Sequence, residues 1–229
     1  MSYAINTHKE KDWYNKMKLG NMMIFGDSYS TYAGYIPAGY AVYYSGHREG
    51  APDVSDVKKT WWGRILETTD ATLIQNNSWS GSTIGYTGYN NTDCSHSSSF
   101  IYRLEKLVDE GFFESHTIDT LFVFGGTNDS WSNAPLGKLT YDRVEESDCF
   151  NVLPAIRFFA KRLKEVLPKT HILFIGNCDI KSEITDAMQS ICEHDGLDYV
   201  ALSEIDKLNG HPTEYGMEQI TEQILAHLA

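Results

Sequence analysis

MMIFGDSYSTY, residues 22–32, is an apolar run that breaks at a glycine and delivers an acid and a hydroxyl, Gly26-Asp27-Ser28. Taken alone, Ser28 reads as a cap or turn residue, because Ser and Asp side chains bond nearby backbone N–H groups. Four further runs change that reading: TLIQ (72–75), LFVF (121–124), HILFIG (171–176) and DYVAL (198–202). Segments of helical period lie between and after them. WWGRILETT follows Thr60, FIYRLEKLVDEG ends on Gly111, and VLPAIRFFAKRLKEVLP sets Ile156, Phe159, Leu163 and Val166 on one stripe. SEITDAMQSICEHDG opens on Ser182 and closes at Gly196, and PTEYGMEQITEQILAHLA runs to the C-terminus. Strands apolar throughout, alternating with helices, predict an α/β fold with a five-stranded parallel sheet covered on both faces.

Ligand sites in such sheets lie beyond the carboxyl ends of the strands. There the first strand delivers GDS, the second NNSWSGST and the third GGTND, all bearing groups that can do chemistry. The fourth delivers NCD, expected only to line the rim. Two long loops interrupt the rhythm, at about 29–57 and 130–148. The first holds Tyr29, Tyr32, Tyr35, Tyr40, Tyr43 and Tyr44; the second holds Trp131 and Tyr141. Loops of this length are binding loops, lids or disordered, and so many aromatic residues argue against disorder. No repeat or shift of composition marks a second domain, so residues 21–229 are expected to form one domain behind an N-terminal extension, residues 1–20.

Composition narrows the function classes. The chain has 229 residues, is 41% hydrophobic and 22% charged, and carries a formal net charge of -12. With no Lys/Arg cluster, such a surface repels phosphate backbones and anionic membranes, so neither nucleic acid nor membrane is expected as a partner. No run is apolar enough to span a bilayer, and the first residues lack the apolar core of a secretory signal, so the chain reads as cytoplasmic. Cys94, Cys149, Cys178 and Cys192 are widely spaced and fit reduced thiols rather than a disulfide framework. The histidines show no metal-ligand spacing, and no phosphate-loop or dinucleotide motif occurs; neither metal nor cofactor is expected.

GDS at 26–28, Gly81 within SWSGST, GGTND at 125–129 and HP at 211–212 fall in an order that resembles the SGNH (GDSL-type) hydrolase family, from residue 22 to the last helix. The resemblance implies a flavodoxin-like, three-layer α/β/α fold and a serine hydrolase acting on ester bonds. It assigns Ser28 as nucleophile, His211 as base, and Ser28, Gly81 and Asn128 as oxyanion hole. Physical chemistry asks for the same parts: a hydroxyl, an imidazole that titrates near neutrality, and donors aimed at a developing oxyanion. Against this, Asn128-Asp129 reads as a helix cap, Gly81 as a turn glycine and His211-Pro212 as a loop entering a helix. Asp27 and Asp129 read as orienting groups.

One position departs from the family pattern. The aspartate usually found three residues before the histidine is Leu208 here. Three readings stay open: Asp206 reaches His211, a backbone carbonyl near Leu208 orients the ring, or catalysis is lost. For the substrate, Tyr32, Trp79, Tyr86 and Trp131, with Tyr89 nearby, suggest an aromatic platform for a sugar, and hence an esterase removing a small acyl group, an acetyl above all, from a carbohydrate. Trp61 and Trp62 are expected to split, with one in the core. The alternatives are a short-chain esterase or lysophospholipase, a non-catalytic carbohydrate-binding domain on the same scaffold, and a flavodoxin-like phosphate binder.

Overall fold

The computed structural model describes residues 18–46 and 50–229. The expected N-terminal extension thus lies outside the described residues except for 18–20, which dock on the domain: Leu19 is buried, and its N–H donates to Asp70 Oδ1 at 2.8 Å. Five parallel strands form one sheet in the order β2-β1-β3-β4-β5: β1 Asn21–Gly26, β2 Thr72–Ser78, β3 Thr120–Phe124, β4 His171–Gly176 and β5 Asp198–Ala201. The expected sheet is therefore present, strand for strand.

The apolar runs are continuous because both faces are covered. Along β1, Met23 and Phe25 point to one core, which α2 (Phe100–Asp109), α5 (Val152–Val166) and α6 (Ser182–Asp195) close. Met22 and Ile24 point to the other, closed by α1 (Trp61–Thr68) and α7 (Glu214–Leu228). Each such fully buried side chain contributes roughly 1.5–3 kcal/mol. The helix starts are chemically marked: Thr60, Ser99 and Thr213 accept from the N–H groups of Gly63, Tyr102 and Gly216 at 3.0–3.1 Å, at about 1 kcal/mol each.

Trp61 and Trp62 do not split; both are buried, at 0% and 1% exposure. The turn after β1 explains why. It offers the indole N–H groups two acceptors, Ser30 Oγ at 3.2 Å and the Ser30 carbonyl at 2.9 Å. All four cysteines are unpaired thiols, and no helix among the described residues is long and apolar enough to cross a membrane.

Strand order reverses between β1 and β3, and the crevice outside their carboxyl ends is where this architecture holds ligands. β1 runs directly into a 3-10 turn, Ser28–Ser30, and β3, which follows the single-turn helix α3 (Phe112–Ser115), into the short helix α4, Thr127–Trp131. Ser28 and Asn128 thus flank the reversal.

Candidate active site

Ser28 opens the 3-10 turn, so its backbone N–H has no partner within that turn. The Asp27 carboxylate caps the turn, accepting from the Tyr29 N–H at 3.0 Å. His211 arrives from the far end of the chain on a two-stranded hairpin, β6 Lys207–Leu208 and β7 His211–Pro212. Its Nε2 lies 3.0 Å from Ser28 Oγ. Nδ1 lies 3.3 Å from the Asn209 carbonyl oxygen, to which it donates, leaving Nε2 to accept from the serine hydroxyl.

The hairpin explains the unusual Leu208. Asn209 and Gly210 both have positive φ, 52° and 78°, the two-residue turn that Asn-Gly favours. Leu208 consequently pairs across from His211 and leaves its side chain 44% exposed. Asp206 sits one step further back. Its carboxylate accepts from the Thr213 hydroxyl, and its N–H donates to Gln219 Oε1 at 2.7 Å. These bonds fasten the hairpin to the start of α7. Of the groups near His211 that the sequence raised, the geometry brings a backbone carbonyl to Nδ1 and gives Asp206 to Thr213.

The oxyanion candidates converge on the same crevice. Gly81 is exposed, with φ +83° and open space where a Cβ would stand, so the backbone can face an incoming ester. Asn128 is buried; Nδ2 donates to the Ser82 carbonyl at 3.0 Å, and Oδ1 accepts from the Tyr89 hydroxyl at 2.9 Å. That second bond fixes which end of the amide faces which way and leaves one N–H for a ligand. Asp129 holds the glycine loop, accepting from the N–H groups of Ile84 at 2.9 Å and Gly85 at 3.2 Å.

Beneath the crevice lies an ionic layer. Arg103 is fully buried and donates to the Ser98 carbonyl at 3.0 Å, Asn77 Oδ1 at 2.6 Å, and the Gly26 carbonyl and Ser82 Oγ at 3.2 Å each. It ties the ends of β1 and β2 to the loop that carries Gly81 and Ser82. Burial pulls its pKa down to about 9. Burial likewise pushes Asp27 up to about 7, opposed first by the Tyr29 N–H and then by the Thr127 hydroxyl, although Asp27 Oδ2 completes no hydrogen bond of good geometry. Burial lifts Asp129 to about 6 against the N–H groups of Ile84 and Gly85. Two carboxyls and a guanidinium in one dry layer resist rearrangement, which is what a preorganised site requires.

The expected platform residues separate. Trp131 is 40% exposed and sets its ring edge-on to His211, 5.6 Å between centroids. Trp79 is half-buried and packs on Tyr40 at 4.3 Å, while Tyr32 is half-buried against Tyr35. Tyr86 belongs to the core instead: it is 3% exposed, lies against Phe150, and its hydroxyl donates to Glu146 Oε1 at 3.0 Å. Arg103, Tyr89's hydroxyl and the ring of Tyr43 were not foreseen as parts of the site. For Arg103 a signal existed: a charge at the apolar stripe Phe100, Leu104, Leu107 of α2. Among the described residues, no group of three or more His, Cys, Asp or Glu is arranged to hold a metal ion.

The sequence profile of a family described as GDSL-like Lipase/Acylhydrolase matches residues 20–228. The chain belongs to this family. Two crystal structures described as GDSL-like lipases are similar over most of their length. The Bacteroides ovatus protein is 38% identical, with a TM-score of 0.81 over 90% of this chain and 96% of that one. The Bacteroides uniformis protein is 39% identical, with a TM-score of 0.82 over 90% and 93%. An acetyl xylan esterase from Butyrivibrio proteoclasticus shares the fold at 17% identity, TM-score 0.58, over 91% of this chain and 62% of that one. No curated protein is matched by the sequence. This GDSL-like acylhydrolase is accordingly an ester hydrolase of the SGNH type.

Proposed function

We propose that the protein removes a small acyl group, acetyl above all, from a carbohydrate ester, with Ser28 as nucleophile and His211 as base. The observation that carries the reading is the 3.0 Å approach of His211 Nε2 to Ser28 Oγ, with Gly81 and Asn128 on the segments that follow the neighbouring strands β2 and β3. Nε2 takes the hydroxyl proton as Oγ attacks the ester carbonyl. The oxyanion that forms is met by the N–H groups of Ser28 and Gly81 and by Asn128 Nδ2, each donor contributing about 3–4 kcal/mol when aligned. The imidazolium returns its proton to the leaving alcohol; water, deprotonated by the same Nε2, then attacks the acyl-enzyme, and the acyl–Oγ bond breaks as Nε2 gives that proton back to Ser28 Oγ.

The crevice mouth supports a saccharide. Tyr89, bonded to Asn128, and Trp131, beside His211, are each at least 40% exposed there, while exposed aliphatic side chains are few. Aromatic faces beside polar groups suit sugar rings better than acyl tails. The fold shared with a protein described as an acetyl xylan esterase agrees with this reading.

The test is hydrolysis of p-nitrophenyl acetate, octanoate and acetylated oligosaccharides by the wild type and Ser28→Ala between pH 5 and 9. The expected result is loss of turnover in Ser28→Ala and a preference for acetyl over octanoyl esters. Undiminished turnover in Ser28→Ala overturns the nucleophile; a preference for octanoate overturns the acetyl assignment.

A further inference from the structure

His211 sits among rings from three separate elements. Tyr43, from the first long loop, stacks on the imidazole with centroids 3.6 Å apart and planes 7° from parallel. Trp131 of α4 meets it edge-on, and Tyr29 of the nucleophile turn lies 5.5 Å away, tilted by 55°. A centroid distance so short leaves little lateral offset between Tyr43 and His211. Neutral aromatic pairs avoid that sandwich, because their quadrupoles repel; a cation over a ring face is drawn to it. The stack therefore suits the imidazolium better than the imidazole.

We propose that Tyr43 is a positioning residue whose ring face stabilises the protonated form of His211. The inference rests on His211 being the base. During acylation the ring gains a proton in a half-buried setting, where a cation is less well solvated than in open water. The face of Tyr43 supplies negative quadrupole at the moment the charge appears, and it also blocks rotation of the ring about χ2.

The loop is built to hold that face in place. The Tyr43 N–H donates to Thr31 Oγ1 at 2.9 Å, and the Thr31 hydroxyl donates to the Ser28 carbonyl at 3.1 Å. The next residue, Tyr44, is buried, and its hydroxyl donates to the Pro212 carbonyl at 2.8 Å, one position past His211. Nucleophile turn, stacking ring and base are linked in one chain of contacts. Among the described residues, the other titratable groups around His211 are Ser28 and Tyr29 from the turn, with Asp27 behind them, and Tyr44, whose hydroxyl meets the hairpin at Pro212. Asp206 and Lys207 come from its own hairpin, Lys207 Nζ being 5.6 Å from the Tyr29 ring and bonded to Asp179.

The test places Phe, 4-fluoro-, difluoro- and trifluorophenylalanine at position 43, a series that keeps the shape and progressively weakens the negative face. Two quantities are read: the His211 pKa from its ring-proton NMR titration, and the acid limb of kcat/KM for p-nitrophenyl acetate. Tyr43→Phe keeps the ring face and is the reference for the series. The His211 pKa should then fall with each fluorine, by roughly 0.4–1.5 units in total, with kcat falling about 2- to 30-fold. A flat series overturns the proposal, and so does a Phe variant already at the low value, which would assign the effect to the hydroxyl. A purely structural role would move KM and leave the NMR midpoint in place. The NMR readout needs no turnover, so it is independent of whether His211 acts as the base.

Discussion

Asp27→Asn isolates the effect of a buried charge beside Ser28. In the folded chain the Asp27 carboxyl titrates at about 7 instead of 3.8, chiefly through burial. A carboxyl whose folded pKa is raised binds its proton more tightly when folded. Its contribution to stability is fully present below about pH 4 and is lost as pH rises through 7. Three units at about 1.4 kcal/mol each make about 4 kcal/mol in all. Roughly two of those units lie between pH 5 and 8, so about 3 kcal/mol disappears there, or roughly 6–12 °C in Tm for a chain of this size. Asn keeps an oxygen for the Tyr29 N–H and cannot ionise. Thermal and urea unfolding of both proteins at pH 5 and pH 8 should show the wild type losing that much more than the variant. The contribution of Asp129, raised to about 6, remains in both and cancels in the comparison. Equal losses in the two proteins would refute the claim that Asp27 is ionised at a cost in the folded state.

Two further substitutions probe the site. Asp206→Asn should change kcat/KM by less than threefold, because its carboxylate serves Thr213, while stability falls by about 1 kcal/mol. A loss of kcat beyond tenfold in steady-state assays would instead make Asp206 the third member of the triad. Tyr89→Phe removes the hydroxyl that orients the Asn128 amide and should lower kcat about fivefold with KM little changed, against 10²–10³ for Asn128→Ala. Unchanged kcat in Tyr89→Phe would show that the amide is fixed by Ser82 alone.

The sheet was legible because its strands are buried on both faces and therefore apolar without interruption; each expected run is a strand, within a few residues at its ends. β2 runs past TLIQ to Ser78 because Asn76 and Asn77 are buried with partners, Asn76 Nδ2 donating to the Ser30 carbonyl at 2.7 Å and Asn77 Oδ1 accepting from Arg103. Polar residues satisfied by distant groups leave no periodic signal. Helix α4 has five residues, too few for a period to show, and the hairpin strands have two each, although Asn209-Gly210 was a usable turn signal. Order along the chain located the GDS, GxND and HP blocks. The stack of Tyr43 on His211 joins residues far apart in sequence by shape alone, and no local pattern encodes it. Tyr86 shows the same limit from the other side: tyrosine composition suggested a rim, and packing against Phe150 placed the ring in the core.

The loop at 29–57 and the hairpin of His211 are not separable modules. Tyr44 grips the Pro212 carbonyl, and Asn209 Nδ2 donates to the Gly50 carbonyl at 2.9 Å. Replacing that loop with one from a relative, the usual route to a new substrate range, would also re-seat the imidazole. Any such graft has to carry Tyr44 and the Gly50 contact along with the residues that meet the substrate, or selectivity and turnover will change together.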